Sequence, residues 1–246
     1  MKGVILAGGL GTRLYPLTKI TNKHLLPVFD KPMIYYPLAT LMDAGIKDIL
    51  VVTGGNHAGE FLRLLGNGKE LNLKEIHYTY QTGEKGIADA LRLAEDFADG
   101  DRIVVILGDN LFGESIKPYT DKFARQTTGA KIIIKKVSNP QRFGVVDFKK
   151  GKVISIEEKP KKPKSSYAVT GLYMYDSKVF DFIRKLKVSR RGEYEITDIN
   201  NMYIKEGTLT YDILKGSWTD CGTCESLLRA NILVAKKQGI NLKGLL

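Results

Sequence analysis

The chain of 246 residues holds only two cysteines, Cys221 and Cys224, too few for a disulfide framework. They form a single C-x-x-C pair. One pair cannot fill a four-ligand zinc site, and no strand–helix redox context surrounds it, so both read as incidental. No apolar run reaches the length of a membrane span, and Met1-Lys2-Gly3-Val4-Ile5-Leu6-Ala7 is too short for a signal peptide. A cytoplasmic protein with no membrane partner is the expectation. Internal repeats, low-complexity linkers and a clean domain boundary are missing too, which predicts one domain over 1–246. Acids are in the minority: 27 Asp and Glu stand against 38 Lys and Arg, a formal net charge of +11 that points to anionic partners. Nucleic acid, an acidic membrane surface and small phosphorylated substrates all fit that sign. A nucleic-acid binder should interleave its basic face with exposed aromatics or carry a known reader motif, and neither is present, so no nucleic-acid partner is expected. Lysine runs such as Lys159-Pro160-Lys161-Lys162-Pro163-Lys164 read first as solvated loop. With 43% hydrophobic and 26% charged residues, the composition is that of a folded protein with a substantial core.

What is present is an alternation of short apolar strands with helices. Gly3 to Ala7, Ile49 to Thr53 and Ile103 to Leu107 are apolar throughout, as strands buried on both faces are. Between them, Pro32 to Ala44 reads as a helix stopped by Gly45, with Pro32 at a tolerated first position and Pro37 expected to kink it or delay its start. Glu60 to Leu65 reads as a short helix closed by Gly66, and Ile87, Leu91, Ala94 and Phe97 recur at helical spacing. Ile76, Tyr78 and Tyr80 alternate as in a strand with one buried face. Further on, Gly144 to Phe148 and Val153 to Glu157 flank Lys149-Lys150-Gly151 as a hairpin, Tyr167 to Tyr175 is a strand, and Glu225 to Lys237 a closing helix. The fold class is α/β: a Rossmann-like, mostly parallel sheet flanked by helices, with a more mixed second half. Such sheets bind ligands beyond the carboxyl ends of their strands, which puts Gly8 to Arg13, Gly54-Gly55, Gln81 and Gly108-Asp109 on one rim.

The first strand runs into Gly8-Gly9-Leu10-Gly11-Thr12-Arg13. Glycines let backbone N–H groups approach phosphate oxygens unobstructed. A dinucleotide fingerprint starting at Gly9 would need glycine at Leu14, and a P-loop would need a Gly-Lys-Ser/Thr that is absent. The turn is therefore either an ordinary strand-to-helix connection or a phosphate loop of a third kind, with Arg13 as a bidentate donor.

The stretch Leu6-Ala7-Gly8-Gly9-Leu10-Gly11-Thr12-Arg13-Leu14-Tyr15-Pro16-Leu17-Thr18 resembles the signature of sugar-1-phosphate nucleotidyltransferases. Asn22-Lys23-His24-Leu25-Leu26-Pro27-Val28 follows at that family's distance. Gly108-Asp109, Glu157-Glu158-Lys159-Pro160, Val169-Thr170-Gly171-Leu172-Tyr173 and Trp218-Thr219-Asp220-Cys221-Gly222-Thr223 extend the likeness to about residue 226. Within the family it is closest to the glucose-1-phosphate thymidylyltransferases, which implies the nucleotide-diphospho-sugar transferase fold. The implied organisation is a nucleotide-binding half over about 1–110, a sugar-phosphate-binding half over about 111–226, and a closing helix at 225–240.

The likeness implies transfer of a nucleotidyl group from dTTP, or UTP, to glucose 1-phosphate with release of pyrophosphate. A uridylyltransferase and a non-catalytic sugar-nucleotide sensor are the alternatives; a sensor should have lost a residue that this sequence keeps. The implied catalytic set is Arg13 on the leaving pyrophosphate, Lys23 by the triphosphate, Lys159 on the sugar phosphate, and Asp109 and Asp220 holding Mg²⁺. Leu6, Gly8, Gly9, Gly11, Thr12, Arg13, Lys23 and Asp109 would line the nucleotide, with Gln81 and Gly86 at the base; Gly144, Glu158, Lys159, Val169 and Tyr173 would hold the sugar phosphate, though Tyr173 could equally be plain core. Either Asp→Asn change should leave the fold intact, since it removes like charge from a metal site. Three departures stand out: Asp89 where many members have glutamine, Phe143 where tyrosine is common, and Cys221 and Cys224 where threonine and histidine are frequent. The chain also looks like the short form, without the C-terminal segment that carries allosteric control in longer members, so feedback regulation is not implied. A homo-oligomer is left open.

Overall fold

The computed structural model describes residues 1–241, and only the backbone of Asn56. Four parallel strands form the first half of the sheet: β1 (Lys2–Ala7), β4 (Asp48–Gly54), β5 (Glu75–Gln81) and β6 (Ile103–Leu107), in the spatial order β5-β4-β1-β6. That is the 3-2-1-4 order of a mononucleotide-binding half. Two two-stranded ribbons interrupt the pattern, β2 (Pro27–Val28) with β3 (Lys31–Pro32), and β7 (Asn110–Phe112) with β13 (Trp218–Asp220).

Beyond β6 the sheet becomes mixed. The strand β11 (Tyr167–Tyr175) runs antiparallel to β6 and to β8 (Ala130–Lys136), and β12 (Leu209–Ile213) then pairs parallel with β8. The hairpin of β9 (Gly144–Lys149) and β10 (Lys152–Glu158) joins the other end of β11, where Ala168 faces Val145.

The uniformly apolar strands are explained by two cores, one on each face. Val4, Leu6, Leu50, Val52, Val105 and Tyr173 pack under α3 (Ile87–Arg92), α4 (Glu95–Ala98), α6 (Lys178–Arg184) and α7 (Ile196–Lys205). Their neighbours Ile5, Ala7, Ile49, Val51, Ile106 and Leu172 pack under α1 (Tyr35–Asp43), α2 (Ala58–Leu65) and α5 (Lys117–Ala124). With side chains alternating between two buried faces, no position along these strands can be polar without penalty. The last helix, α8 (Cys224–Lys237), starts on a reciprocal cap between Thr223 and Ser226 and ends at Lys237, where the sequence pattern ends it. Among the described residues no helix is long and apolar enough to cross a membrane.

Three expectations need correction. Pro32 lies in β3, and the helix starts only at Tyr35, so that Pro37 falls in its first turn where its missing N–H loses nothing. The pattern over Ile87 to Phe97 is two short helices, because the chain turns at Leu93-Ala94. Tyr80 in β5 is 48% exposed, and β5 is an edge strand of the sheet.

Candidate active site

The carboxyl ends of β1, β5 and β6 open into a cleft of about 520 Å³, closed on its far side by β9, β10 and β11; Gly54-Gly55 at the end of β4 do not line it. Fourteen of the sixteen sequence candidates line it: Leu6, Gly8, Gly9, Arg13, Lys23, Gln81, Gly86, Asp109, Gly144, Glu158, Lys159, Val169, Tyr173 and Asp220. Gly11 and Thr12 do not; they belong to the loop that carries Arg13, and Thr12 is exposed. Gly11 has φ 64°, and a Cβ there would stand 3.0 Å from Thr18 and 3.1 Å from Lys23, so glycine is needed to pack the loop against the Lys23 segment. Tyr173 is both core and cleft wall: 5% exposed, it stacks on Tyr175 with ring centroids 6.1 Å apart.

Ladder pairing brings the two carboxylates together. Asp220 in β13 faces Asn110 in β7, one residue from Asp109, and the Cys221 N–H donates to the Asp109 carbonyl at 2.8 Å. Lys23 Nζ sits 2.6 Å from Asp109 Oδ2, and Asn110 Nδ2 donates to Asp109 Oδ1 at 2.8 Å. Burial pushes the Asp109 carboxyl up, but the Lys23 charge and these hydrogen bonds outweigh it and leave it well below the usual carboxylate range. Asp220 goes the other way: burial and the nearby Asp109 raise it, against Arg142, whose guanidinium is 3.1 Å from Asp220 Oδ2. His24, buried against Gly108 on the floor, is pushed down to about 3 by burial and by Lys23, so it carries no charge. Asp109 is thus tied into an ion pair and a buried hydrogen bond that an asparagine could not both keep, so Asp109→Asn should cost stability where the sequence alone suggested an intact fold.

On the opposite wall, Glu158 ends β10. It accepts from Thr197 Oγ1 at 2.6 Å and lies 3.5 Å from Arg191 and 3.9 Å from Lys159. Burial raises its carboxyl, assisted by Glu195 and opposed by Thr197, Lys159 and Arg191. Lys159 adopts φ 45°, uncommon for a residue with a side chain, and its N–H donates to the Phe143 carbonyl at 3.0 Å. The Phe143 ring packs 5.0 Å from Trp218. Gly222 is small for a reason: a Cβ there would stand 3.0 Å from the Arg13 guanidinium and 3.2 Å from Asp220 Oδ2.

Comparison with known proteins agrees with this geometry. Residues 2–237 match the nucleotidyl transferase family model. The chain belongs to the nucleotidyl transferase family. It is 50% identical over 244 residues to a glucose-1-phosphate thymidylyltransferase of Neisseria meningitidis, covering 98% of this chain and 84% of that one. It is 48% identical over 238 residues to the enzyme of that name from Mycolicibacterium smegmatis, covering 95% and 82%. A crystal structure of a Bacillus anthracis protein assigned as glucose-1-phosphate thymidylyltransferase, in complex with a sucrose, is similar with a TM-score of 0.88 and 56% identity over 95% of this chain and 94% of that one. A UDP-glucose pyrophosphorylase complexed with UDP-glucose shares the fold at a TM-score of 0.83 and 24% identity, over 96% and 98%.

This nucleotidyl transferase also places residues in the cleft that the sequence did not single out. Arg142 and Arg191 add two positive charges, and Thr197 orients Glu158. Asn110 Oδ1 accepts from Gly171 N at 3.0 Å and from Trp218 Nε1 at 2.6 Å, joining three strands at the corner that holds Asp109 and Asp220. Glu84 accepts from the Leu10 N–H of the glycine loop. Arg142 directly precedes Phe143-Gly144, so its place in the cleft follows from theirs. The place of Asn110 does not follow in this way, because its partners lie 61 and 108 residues away. Cys221 is buried and Cys224 exposed, both as free thiols, which agrees with two unrelated cysteines.

Proposed function

We propose that this nucleotidyl transferase is a glucose-1-phosphate thymidylyltransferase, which joins dTTP to glucose 1-phosphate to give dTDP-glucose and pyrophosphate. The observation that carries this reading is that one cleft holds two separate basic corners. Arg13, Lys23 and Arg142 stand by the glycine loop and the two aspartates; Lys159 and Arg191 stand by Glu158. Two anions that must react need two such corners facing each other.

In the reaction a phosphate oxygen of glucose 1-phosphate attacks the α-phosphorus as the bond to the bridging oxygen of the β-phosphate breaks, and pyrophosphate departs. Arg13 holds the leaving pyrophosphate, and Lys23 stabilises charge on the triphosphate. Lys159 and Arg191 hold the attacking phosphate in line, and Glu158 accepts from sugar hydroxyls with its orientation set by Thr197. Gln81 and Gly86 meet the base. Asp109 and Asp220 fit Mg²⁺ as a donor set: two hard carboxylates side by side, too few alone to enclose an ion, which leaves positions for phosphate oxygens and water. When bound there, the ion supplies positive charge against the phosphate oxygens. A cytoplasmic setting, with dTTP and glucose 1-phosphate as partners, belongs to the same reading.

The test is pyrophosphate release with dTTP, UTP, CTP and GTP crossed with several hexose 1-phosphates. The expected result is release that depends on the sugar phosphate, with dTTP and glucose 1-phosphate best and UTP next. CTP or GTP as the best substrate, or release without sugar phosphate, overturns it.

A further inference from the structure

We infer that Asp89 is a positioning residue for base choice: it locks the Gln81 side-chain amide so that only the carbonyl oxygen of Gln81 faces the cleft, which selects a pyrimidine that donates at N3 and refuses cytosine. The inference rests on the proposal that Gln81 meets the base.

Gln81 closes β5 and is 5% exposed; Asp89, in α3, is 8% exposed. Gln81 Nε2 donates to Asp89 Oδ2 at 2.9 Å and to the Gly86 carbonyl at 3.2 Å. Both partners are pure acceptors, so both amide protons are used. Rotating the amide by half a turn would set Oε1 against two acceptors, losing two buried hydrogen bonds and adding repulsion. The orientation therefore follows from the partners' chemistry. Oε1 lies beside Gly8 in the cleft wall, where a Cβ would stand only 2.9 Å from it. The other carboxylate oxygen of Asp89 lies 3.3 Å from Arg92 one helical turn on, which holds the acid in place.

The residue type matters. A glutamine at position 89 would offer both an N–H and a carbonyl and by itself would dictate neither orientation of Gln81. A carboxylate has no proton to give and dictates one. Gln81 then presents a single acceptor, complementary to the N3–H of thymine or uracil. Cytosine offers a lone pair at N3, and acceptor would meet acceptor. The carboxylate of Asp89 thus sharpens base choice through its hydrogen bond to Gln81.

The experiment measures kcat/KM for dTTP and CTP, at saturating glucose 1-phosphate, in the parent, Asp89→Asn, Asp89→Glu and Gln81→Ala. The readout is the dTTP:CTP ratio, which a general loss of fold or activity would not move because it lowers both. Asp89→Asn should lower the ratio by about tenfold or more, the scale set by one mismatched polar contact. Asp89→Glu, which keeps an acceptor, should restore most of it, and Gln81→Ala should lower it as far as Asp89→Asn does. If Asp89→Asn does not fold, Asp89→Gln takes its place with the same expected fall. An unchanged ratio in the Asp89 amide variant alongside a lowered ratio in Gln81→Ala overturns the inference and leaves the base-site reading standing. An unchanged ratio in Gln81→Ala overturns both.

Discussion

Asp109→Asn separates what this carboxylate does for the fold from what it does for the reaction. One oxygen accepts from Lys23 at 2.6 Å and the other from Asn110 Nδ2 at 2.8 Å. An asparagine has a single oxygen, so one of those donors would face an NH₂ group. The side chains of Lys23 and Asp109 are only 15% and 12% exposed, so the loss resembles the breaking of a buried pair. Removing one partner of such a pair costs about 3–5 kcal/mol when water is fully excluded. Here the cleft admits some solvent, and we expect about 2–3 kcal/mol. The effect has a pH signature. The folded carboxyl lies below its ordinary value of 3.8, so its contribution to stability is fully present above that value and is lost as pH falls through the folded one. The gap between parent and variant should be widest near neutrality and should shrink below about pH 4. Urea melts read by circular dichroism, and by the fluorescence of Trp218, the chain's single tryptophan, measure it. A gap under about 0.5 kcal/mol at pH 7, or one that persists unchanged in acid, would refute the reasoning.

Asp109→Asn and Asp220→Asn should each lower kcat by about 10²–10⁴-fold and their combination by little more, with activity abolished by chelator and restored by Mg²⁺; independent, additive losses would sink the shared-ion assignment. Gly86→Ala puts a Cβ 2.6 Å from the Tyr194 carbonyl at φ 96°, so thermal melts should show a loss of about 2–4 kcal/mol, and KM for dTTP should rise with it. Because the folded Glu158 carboxyl lies above its ordinary range, ionising it works against the fold at neutral pH, and Glu158→Gln should be neutral or stabilising by up to about 1 kcal/mol. The same variant should raise KM for glucose 1-phosphate about tenfold and flatten the rise in KM expected of the parent as pH falls toward the Glu158 value.

The sheet was legible because burial on two faces forces apolar residues at every position, and β1, β4 and β6 carry that imprint without help from their neighbours. Tyr80 misled because alternation reports where a side chain points, while its exposure depends on what covers that face, and β5 is an edge strand. The glycine loop and its basic residues were readable as a local motif. Asn110 and Thr197 were not, since a short polar side chain after a strand or at a helix start looks the same whether it faces water or ties Trp218 and Glu158 into the site. Asp89 was visible as an anomaly, but its meaning needed the hydrogen bond to Gln81.

The net charge of +11 invites the view that the cleft is strongly positive, and its lining contradicts that. Five basic residues, Arg13, Lys23, Arg142, Lys159 and Arg191, stand against five acidic ones, Glu84, Asp109, Glu158, Glu193 and Asp220, and His24 is neutral. Most of these bases already have an acid beside them: Lys23 with Asp109, Arg142 with Asp220, Arg191 with Glu158 and Glu193, and Lys159 near Glu158. The acids hold the cationic side chains in place, and the same pairing masks their charge from an anion. A triphosphate arriving without a divalent cation therefore meets a cleft of no net charge. Asp220→Asn should unmask Arg142, so in chelator it should bind dTTP more tightly than the parent, by about threefold to tenfold for a part-exposed charge. Isothermal titration in chelator reads this without any turnover. Added Mg²⁺ should reverse the order, with the parent binding more tightly than the variant. Weaker binding by Asp220→Asn in chelator would mean that Asp220 does not mask Arg142, and that the site's positive charge is available to phosphate from the start.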